Sequence, residues 1–202
     1  MTTGQQDISL RKPPRQARAQ ATVSAILEAA ARILETEGLS GVNTNAIAAR
    51  AGVSVGSLYQ YFPSKEAVLS ALLQRERQTL HLELERAIAA GADAEFGLAV
   101  RGLLEVAAAH QLARPALARQ LEYVEASLPL EAQTDAVNAR TADLIAGFLQ
   151  GRWLAQPGIA ARDIAAMSRG LSDAAGMAGE TDGAALVDRL YPAVMGYLAQ
   201  VS

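Results

Sequence analysis

Apolar residues recur every three or four positions along nearly all of this chain, and runs of β-branched residues with a period of two are absent. The first spacing lines apolar side chains along one face of an α-helix, whereas a half-buried β-strand needs the second. Pro and Gly residues interrupt the periodic segments. The pattern therefore predicts an all-α protein of about nine helices.

The first half of the chain is predicted to hold one helix of moderate length, two short helices and one long helix. Gly38 ends the first helix, because a glycine past the last periodic residue is a common helix stop. Thr44 and Ser64 are the expected N-caps of the second and fourth helices, and Pro63 ends the third. The predicted bounds are about 15–37, 44–51, 55–61 and 64–90.

The second half is predicted to hold five further helices, separated by Pro115, Pro129 and the pair Pro157-Gly158. Pro192 falls inside the last of them, where we expect a kink because proline removes a backbone hydrogen bond. The predicted bounds are about 93–112, 116–127, 131–153, 162–178 and 183–200.

The composition fits a globular protein and argues against several classes of enzyme. Half of the residues are apolar, which is enough to bury a core, and the absence of cysteine excludes disulfides, thiolate metal sites and a cysteine nucleophile. The two histidines, His81 and His110, lack partners at metal-ligand spacing, except that Glu85 follows His81 in a pairing common on helix surfaces. No phosphate-binding glycine loop occurs. We therefore expect no metal, no cofactor and no enzymatic activity.

The sequence also suggests where in the cell the protein is located. No apolar run follows the basic residues of the N-terminal segment, so a signal peptide is not expected. No window approaches the roughly 18 uninterrupted apolar residues of a membrane span. We therefore expect a cytoplasmic protein that does not contact a membrane.

Charge is distributed unevenly, although the net charge of the chain is only −3. Residues 1–65 contain seven basic and four acidic side chains, and the remainder contains 11 basic and 17 acidic side chains. A basic segment on an acidic body would orient one end of the protein toward a polyanion such as DNA. The alternative explanation is that charged residues are distributed at random along an acidic protein.

Residues 46–66 carry the most informative motif, AIAARAGVSVGSLYQYFPSKE. Two very short helices are joined there by a three-residue turn that contains glycine, which is the arrangement of a helix-turn-helix. Gly52 suits the turn, because a tight turn needs a positive φ that only glycine adopts at low cost. The motif therefore predicts a unit that binds DNA.

Helical phase separates the two faces of the second short helix, since each residue turns about 100°. Leu58 faces the core, and Val55 and Phe62 lie within about 60° of it. Gln60 is expected to pair with adenine, Ser57 to donate or accept at a base edge, and the tyrosine hydroxyls to reach phosphates. The outward residues are Gly56, Ser57, Tyr59 and Gln60, with Tyr61 near the edge, where packing is the alternative role.

The same motif closely resembles the signature of TetR-family transcription regulators, in one ungapped frame over about residues 16–70. The positions that carry the resemblance are Ile47, Ala48, Ala51, Gly52, Val53, Ser54, Gly56, Leu58, Tyr59, Tyr61, Phe62, Ser64, Lys65 and Glu66. The resemblance implies a three-helix DNA-binding domain joined by a long helix to a helical ligand-binding and dimerisation domain. It also implies that DNA is contacted by Thr44, Asn45, Val55, Gly56, Ser57, Tyr59, Gln60, Tyr61 and Lys65, the last as a phosphate-binding lysine.

The chain is accordingly predicted to have three parts. They are a flexible basic arm at residues 1–14, the DNA-binding domain at 15–65, and the effector-binding and dimerisation domain at 66–202. The basic residues near the N-terminus either enter a minor groove or belong to a disordered tail. The basic residues concerned are Arg11, Lys12, Arg15 and Arg18.

The last two predicted helices, at about 162–178 and 183–200, are rich in small residues. Two such helices from each subunit would form a four-helix bundle across a two-fold axis, and the resemblance favours this homodimer. A core within one subunit is the alternative. Residues 93–160 would then enclose an effector pocket, in which no individual ligand contact is singled out. Its more distinctive side chains are His110, Tyr123, Phe148 and Trp153, each of which is more often a core residue.

The sequence thus predicts a homodimer that binds a pseudo-palindromic operator in double-stranded DNA. A repressor that a small apolar ligand releases from the operator is the favoured reading. The protein could instead be an activator, because the direction of regulation depends on where the operator lies relative to the promoter. A ligand-independent, architectural DNA-binding protein is a further alternative, and a helical-bundle enzyme is the least supported one.

Overall fold

A computed structural model describes residues 17–128, 131–150 and 154–201 of the chain, without the side chains of residues 131–135. Every regular element in these ranges is an α-helix, which confirms the predicted fold class. None of these helices is long and apolar enough to cross a membrane. The helices are α1 (Ala17–Gly41), α2 (Thr44–Ala51), α3 (Val55–Tyr61), α4 (Lys65–Ala90), α5 (Phe96–Ala113), α6 (Pro115–Ser127), α7 (Glu131–Leu149), α8 (Pro157–Met177) and α9 (Gly183–Gln200).

Most helix ends follow local signals in the sequence. Inside α1, Gly38 has φ 68° and ψ −170°, so the regular helix is interrupted at the predicted residue. α8 begins at Pro157, well before the predicted start, because a proline in the first turn has a suitable φ and needs no backbone donor. α5 begins slightly later than predicted, since Glu95 caps it by accepting a hydrogen bond from the backbone N–H of Leu98.

Three other predictions concern the N-terminal arm, the end of α7 and the proline inside α9. The arm at residues 1–14 lies outside the described residues. The helix predicted to reach residue 153 ends at Leu149, and residues 151–153 lie outside the described ranges. α9 continues through Pro192 as one helical element.

The packing of the chain separates two compact units. The first unit comprises the described residues up to Glu76 and those from Ala116 to Thr134. Leu58 of α3 is buried there in the same apolar cluster as Leu117 and Leu121 of α6. α6, which the sequence placed in the effector domain, thus helps to hold the unit that contains the helix-turn-helix. The functional boundary at residues 65 and 66 stays a prediction.

The second unit comprises the residues from Arg77 to Pro115 and the described residues from Asp135 onward. α5 packs there against α8 and α9, which also contact each other. The rings of Phe96 and Phe148 are stacked, with 5.8 Å between their centroids. The apolar residues buried on α5, α8 and α9 include Val100, Leu104, Ala108, Ile164, Ala175, Leu186, Leu190, Val194 and Leu198.

Ser168 is buried on the inner face of α8, and its hydroxyl oxygen has no hydrogen-bond partner in the described part of the chain. A buried hydroxyl without a partner costs about 1–3 kcal/mol, and alanine favours the helix more than serine does. We therefore expect Ser168→Ala to raise the free energy of unfolding by about 1 kcal/mol in urea denaturation. A fall instead would mean that the hydroxyl has a stabilising partner in solution.

Candidate nucleic-acid interface

The turn between α2 and α3 has the geometry that the sequence predicts. Gly52 has φ 69° and ψ 29°, which is the left-handed region, and its N–H points to the carbonyl oxygens of Ala48 and Ala49. The N–H of Val53 donates to the Ala48 carbonyl at 3.0 Å. Any other residue at position 52 would be strained, although no neighbouring atom lies within 4 Å of an added Cβ. The backbone at Gly52 therefore fixes the angle between the two short helices.

Side chains cap the first turns of α2, α3 and α4. The N-cap of α2 is Asn43, whose Oδ1 accepts a hydrogen bond from the Ala46 N–H at 2.9 Å, so the prediction of Thr44 as the cap was wrong. Asparagine ranks above threonine at this position, and that ranking was the available signal. Ser54 Oγ likewise accepts from the Ser57 N–H at 3.0 Å. Ser64 caps α4 as predicted.

The inner face of α3 anchors this seven-residue helix to the first unit. Leu58 and Phe62 are fully buried, and Val55 packs against the same cluster while partly exposed. Tyr61 also packs against this cluster, which is the alternative considered for it above. Val55 and Tyr61 therefore contribute packing, whatever further contact they make.

The outer face of α3 exposes Gly56, Tyr59 and Gln60. An added Cβ at Gly56 would meet only Ser54 Oγ, at 3.9 Å, so the backbone there is open to a close approach. Gln60 makes no hydrogen bond or ion pair with the described part of the chain, so its amide is available for an external partner. This face is polar and uncharged, as the helical phase predicted.

Hydroxyl groups are paired across this surface. The Tyr59 hydroxyl lies 3.2 Å from Thr44 Oγ1, which links α3 to the start of α2. Ser57 Oγ lies 2.9 Å from Ser54 Oγ. Each pair retains hydrogen-bonding capacity, because two hydroxyls share one proton in their mutual bond and keep the other. The pairs can therefore contact phosphates or base edges in an orientation that the protein itself fixes.

The remaining predicted DNA contacts lie near this face or at the start of α4. Asn45 is exposed on α2, and Lys65 is half-buried at the first position of α4, with no ion pair to the described residues. Arg50 on α2 is the other basic residue of the motif at residues 46–66, and it lies 3.8 Å from the Glu37 carboxylate with both side chains partly exposed. Lys65 is therefore the cation of the motif that is available for an anionic partner.

The outer faces of α8 and α9 form a second exposed surface, which we call the small-residue face. It consists of Ala166, Gly170 and Ala174 on α8 and Ala193, Gly196 and Ala199 on α9. The larger apolar residues of the two helices, such as Leu190 and Val194, are buried within the protomer. The core within one subunit, which the sequence left open as an alternative, therefore exists, and the small residues lie on the opposite side of these helices.

Three of the four side chains named above for an effector pocket lie in the described part of the chain. Tyr123 is 60 % exposed on α6, and Phe148 stacks on Phe96. Nδ1 of His110 lies 3.2 Å from the Glu83 carboxylate. Trp153 lies outside the described residues.

Part of the chain, which we call the head (residues 26–72), is similar in sequence to known proteins. Residues 26–72 match the family model of bacterial regulatory proteins, tetR family. The HTH-type transcriptional repressor KstR of Mycolicibacterium smegmatis is 42% identical over 66 residues, which are 33% of this chain and 32% of that protein. The nucleoid occlusion factor SlmA of Haemophilus ducreyi is 45% identical over 56 residues, which are 27% of this chain and 28% of that protein. The chain thus matches about a third of the length of these relatives.

The fold is shared over a larger part of the chain. A TetR-family transcriptional regulator from Streptomyces coelicolor superimposes with a TM-score of 0.67 at 20% identity, covering 90% of this chain and 99% of that chain. This likeness confirms the predicted fold, a helix-turn-helix head followed by a helical C-terminal part.

Proposed function

We propose that this chain, whose head at residues 26–72 belongs to the tetR family of bacterial regulatory proteins, is a dimeric repressor that leaves its operator when a small ligand binds. The observation that carries the proposal is the separation of faces on α3. Leu58 and Phe62 hold the helix down, while Gly56, Tyr59 and Gln60 stay exposed. A short helix of this kind, after a tight turn, fits the major groove of B-DNA.

The proposed contacts divide into reading and positioning groups. Gln60 is assigned to a base edge, because an exposed amide pairs with adenine through two hydrogen bonds. Tyr59 and Thr44 are assigned to one phosphate, since their hydroxyls already lie 3.2 Å apart. Lys65 is assigned to a second phosphate. The other proposed contacts are Asn45, Val55, Gly56, Ser57 and Tyr61.

The proposed dimer forms through the small-residue face of α8 and α9. Alanine and glycine in these positions let two helices approach closely, and added Cβ atoms at Gly170 and Gly196 meet nothing within 4 Å in the protomer. A second copy of the chain is the occupant we assign, because two equal heads match a pseudo-palindromic operator with half-sites about 34 Å apart.

The proposed release depends on α4, a single helix of 26 residues that begins at Lys65. Its residues from Arg77 onward belong to the second unit. A largely apolar small molecule that binds in the region 93–160 and shifts α4 would change the distance between the two heads. The ligand must bind the two states differently, and a coupling free energy of about 1–3 kcal/mol is typical.

The experiment that tests DNA binding is selection of genomic fragments with the purified protein, followed by gel shifts at two salt concentrations. We expect an enriched pseudo-palindrome whose affinity falls as salt rises, because phosphate contacts release counterions. No enriched sequence at either salt concentration would contradict the proposal.

Two substitutions separate base reading from phosphate binding on the enriched site. Gln60→Ala is expected to remove discrimination at one base position, worth about 1–3 kcal/mol, and to leave binding to other sequences unchanged. Lys65→Ala is expected to weaken binding to all sequences about equally and to reduce the salt slope by about one. Fluorescence anisotropy on the operator and on single-base variants measures both. An unchanged affinity of Lys65→Ala for every DNA would contradict the phosphate assignment.

A DNA-binding protein without a ligand is the second candidate. It is favoured by the 45% identity over 56 residues to the nucleoid occlusion factor SlmA. This candidate predicts that no small molecule changes the affinity for the selected DNA. A compound that releases the DNA would favour the repressor.

A further inference from the structure

His81 is a buried polar residue of the second unit, located on α4 and only 6 % exposed. Its Nδ1 lies 3.1 Å from Oγ1 of Thr141 on α7. The hydroxyl of Thr141 donates to the backbone carbonyl of Val137 at 3.0 Å. These two hydrogen bonds together determine the proton position on the His81 ring.

A threonine hydroxyl has one proton, and that of Thr141 is already donated to Val137. Thr141 Oγ1 is therefore the acceptor, and Nδ1 of His81 must carry the proton and donate it. In the neutral ring this leaves Nε2 as an acceptor with a free lone pair. Within the described residues, no donor forms a hydrogen bond to this nitrogen.

The second histidine of the chain, His110, has a different kind of partner at its Nδ1. His110 is directed at the carboxylate of Glu83, 3.2 Å from its Nδ1, and the carboxylate is an acceptor matched to an N–H. His81 instead pairs with a neutral hydroxyl and is buried, whereas His110 is partly exposed. Nε2 of His81 is not fully enclosed by the described residues, so an external donor can reach this nitrogen and form a hydrogen bond there.

We propose that Nε2 of His81 accepts a hydrogen bond from the hydroxyl group of a small molecule with an apolar body, and that this bond orients the molecule in the second unit. The inference rests on the proposed ligand-responsive function and names the class of ligand. Ligand sites are mostly apolar with a few polar groups that fix orientation. An alcohol or phenol satisfies Nε2, whereas an ether or ketone supplies only acceptors and does not.

The test uses the full chain without DNA and two hydroxyl probes, decanol and naphthol, each paired with its methyl ether. The ether keeps the apolar body and lacks the donor. In isothermal titration calorimetry we expect at least one alcohol to bind about tenfold more tightly than its ether, which is the contribution of one buried hydrogen bond. Equal affinities, or no binding of either alcohol, would overturn the inference.

His81→Asn is the matched variant, because the asparagine amide replaces the Nδ1–H that faces Thr141 and has no atom at the position of Nε2. We expect it to lower the affinity for the alcohol about tenfold, to the level of the ether, and to leave the ether unchanged. An equal loss for both members of the pair would assign His81 a purely structural role.

A measurement on the unmodified protein covers the case in which His81→Asn does not fold. The chain has two histidines, so long-range proton–nitrogen NMR yields two imidazole patterns. We expect the Nε2 resonance of His81 to shift on addition of the alcohol and to stay in place with the ether. An unchanged Nε2 resonance at saturation with the alcohol would overturn the inference.

The two proposals fail in different ways. If the alcohol binds through His81 but does not release the selected DNA, the site stands and ligand-driven release by this class does not. If the protein selects a pseudo-palindrome and no alcohol is preferred over its ether, DNA recognition stands and the role of His81 is wrong.

Discussion

Gly196→Glu is expected to leave the protomer folded and to abolish the proposed dimer. Gly196 lies inside α9 on the small-residue face, and an added Cβ meets nothing within 4 Å in the protomer. Within one protomer the change is expected to be mildly favourable, since glycine in a helix costs about 0.5–1 kcal/mol relative to alanine. In a symmetric dimer, however, two glutamates would face the two-fold axis without a partner. An unpaired buried charge costs about 3–5 kcal/mol, which weakens association by more than about 100-fold.

Gly147→Glu is the matched control for this variant. Gly147 is an exposed helical glycine of α7, and a Cβ there also meets nothing within 4 Å. Sedimentation velocity should show a dimer for the wild type and for Gly147→Glu, and a monomer for Gly196→Glu. Circular dichroism should show the same helical content in all three. If Gly196→Glu stays dimeric, the interface lies elsewhere on the chain.

Loss of the proposed dimer should also weaken operator binding, because each of its two heads is assigned to one half-site. Gly196→Glu is therefore expected to bind a full operator no more tightly than a single half-site. Gly147→Glu should keep the wild-type preference. A full-site preference kept by Gly196→Glu would mean that the two heads are paired through another surface, and no preference in the wild type would mean that the heads do not act as a pair.

The helix-turn-helix could be predicted in detail because its signals are local. Gly52 adopts the left-handed conformation that the turn required, and Leu58 is buried at the phase that the helical repeat assigned to it. A seven-residue helix leaves few choices of phase once one apolar position is fixed. Thr44 was misassigned as a cap because two adjacent residues, Asn43 and Thr44, are both capable caps, and only the backbone conformation distinguishes them.

Tertiary packing was less accessible to the sequence. Leu117 and Leu121 of α6 are buried with the helix-turn-helix core, although they are distant from it in the chain. Their helical spacing predicts an apolar face and does not name the partner of that face. The same limit applies to α8 and α9. Periodicity showed that both helices contain large apolar residues and small residues. It did not show that Leu190 is buried in the protomer while Gly196 is exposed.

The proposed role of His81 could not be predicted from the sequence either. Its spacing to other potential ligands showed only that a metal site was not expected. The tautomer depends on Thr141 and on the carbonyl of Val137, which come from a different helix. Hydrogen-bond networks between helices follow from the packing, so they cannot be read from the local pattern.

Leu58→Ala is expected to destabilise the first unit more than any change on the outer face of α3. Leu58 is fully buried, and α3 has only seven residues, so the helix depends on tertiary packing and not on its own propensity. Truncating a buried leucine costs about 2–5 kcal/mol. Since the backbone of α3 carries the proposed reading groups, binding to all DNA sequences should fall together. The loss should therefore differ from the single-position effect of Gln60→Ala.

Leu98→Ala provides the matched control, because it deletes the same atoms from a side chain that is 65 % exposed on α5. Its expected cost is within about 0.5 kcal/mol. Urea denaturation gives the two free energies, and hydrogen exchange should show faster opening of the α3 amides in Leu58→Ala alone. If the two variants lose equal stability, Leu58 is not the residue that holds α3 in place. The proposed recognition surface would then depend on the other groups that fix the two ends of α3. These are the Ser54 cap and Val55 at its start, and Tyr61 and Phe62 at its end.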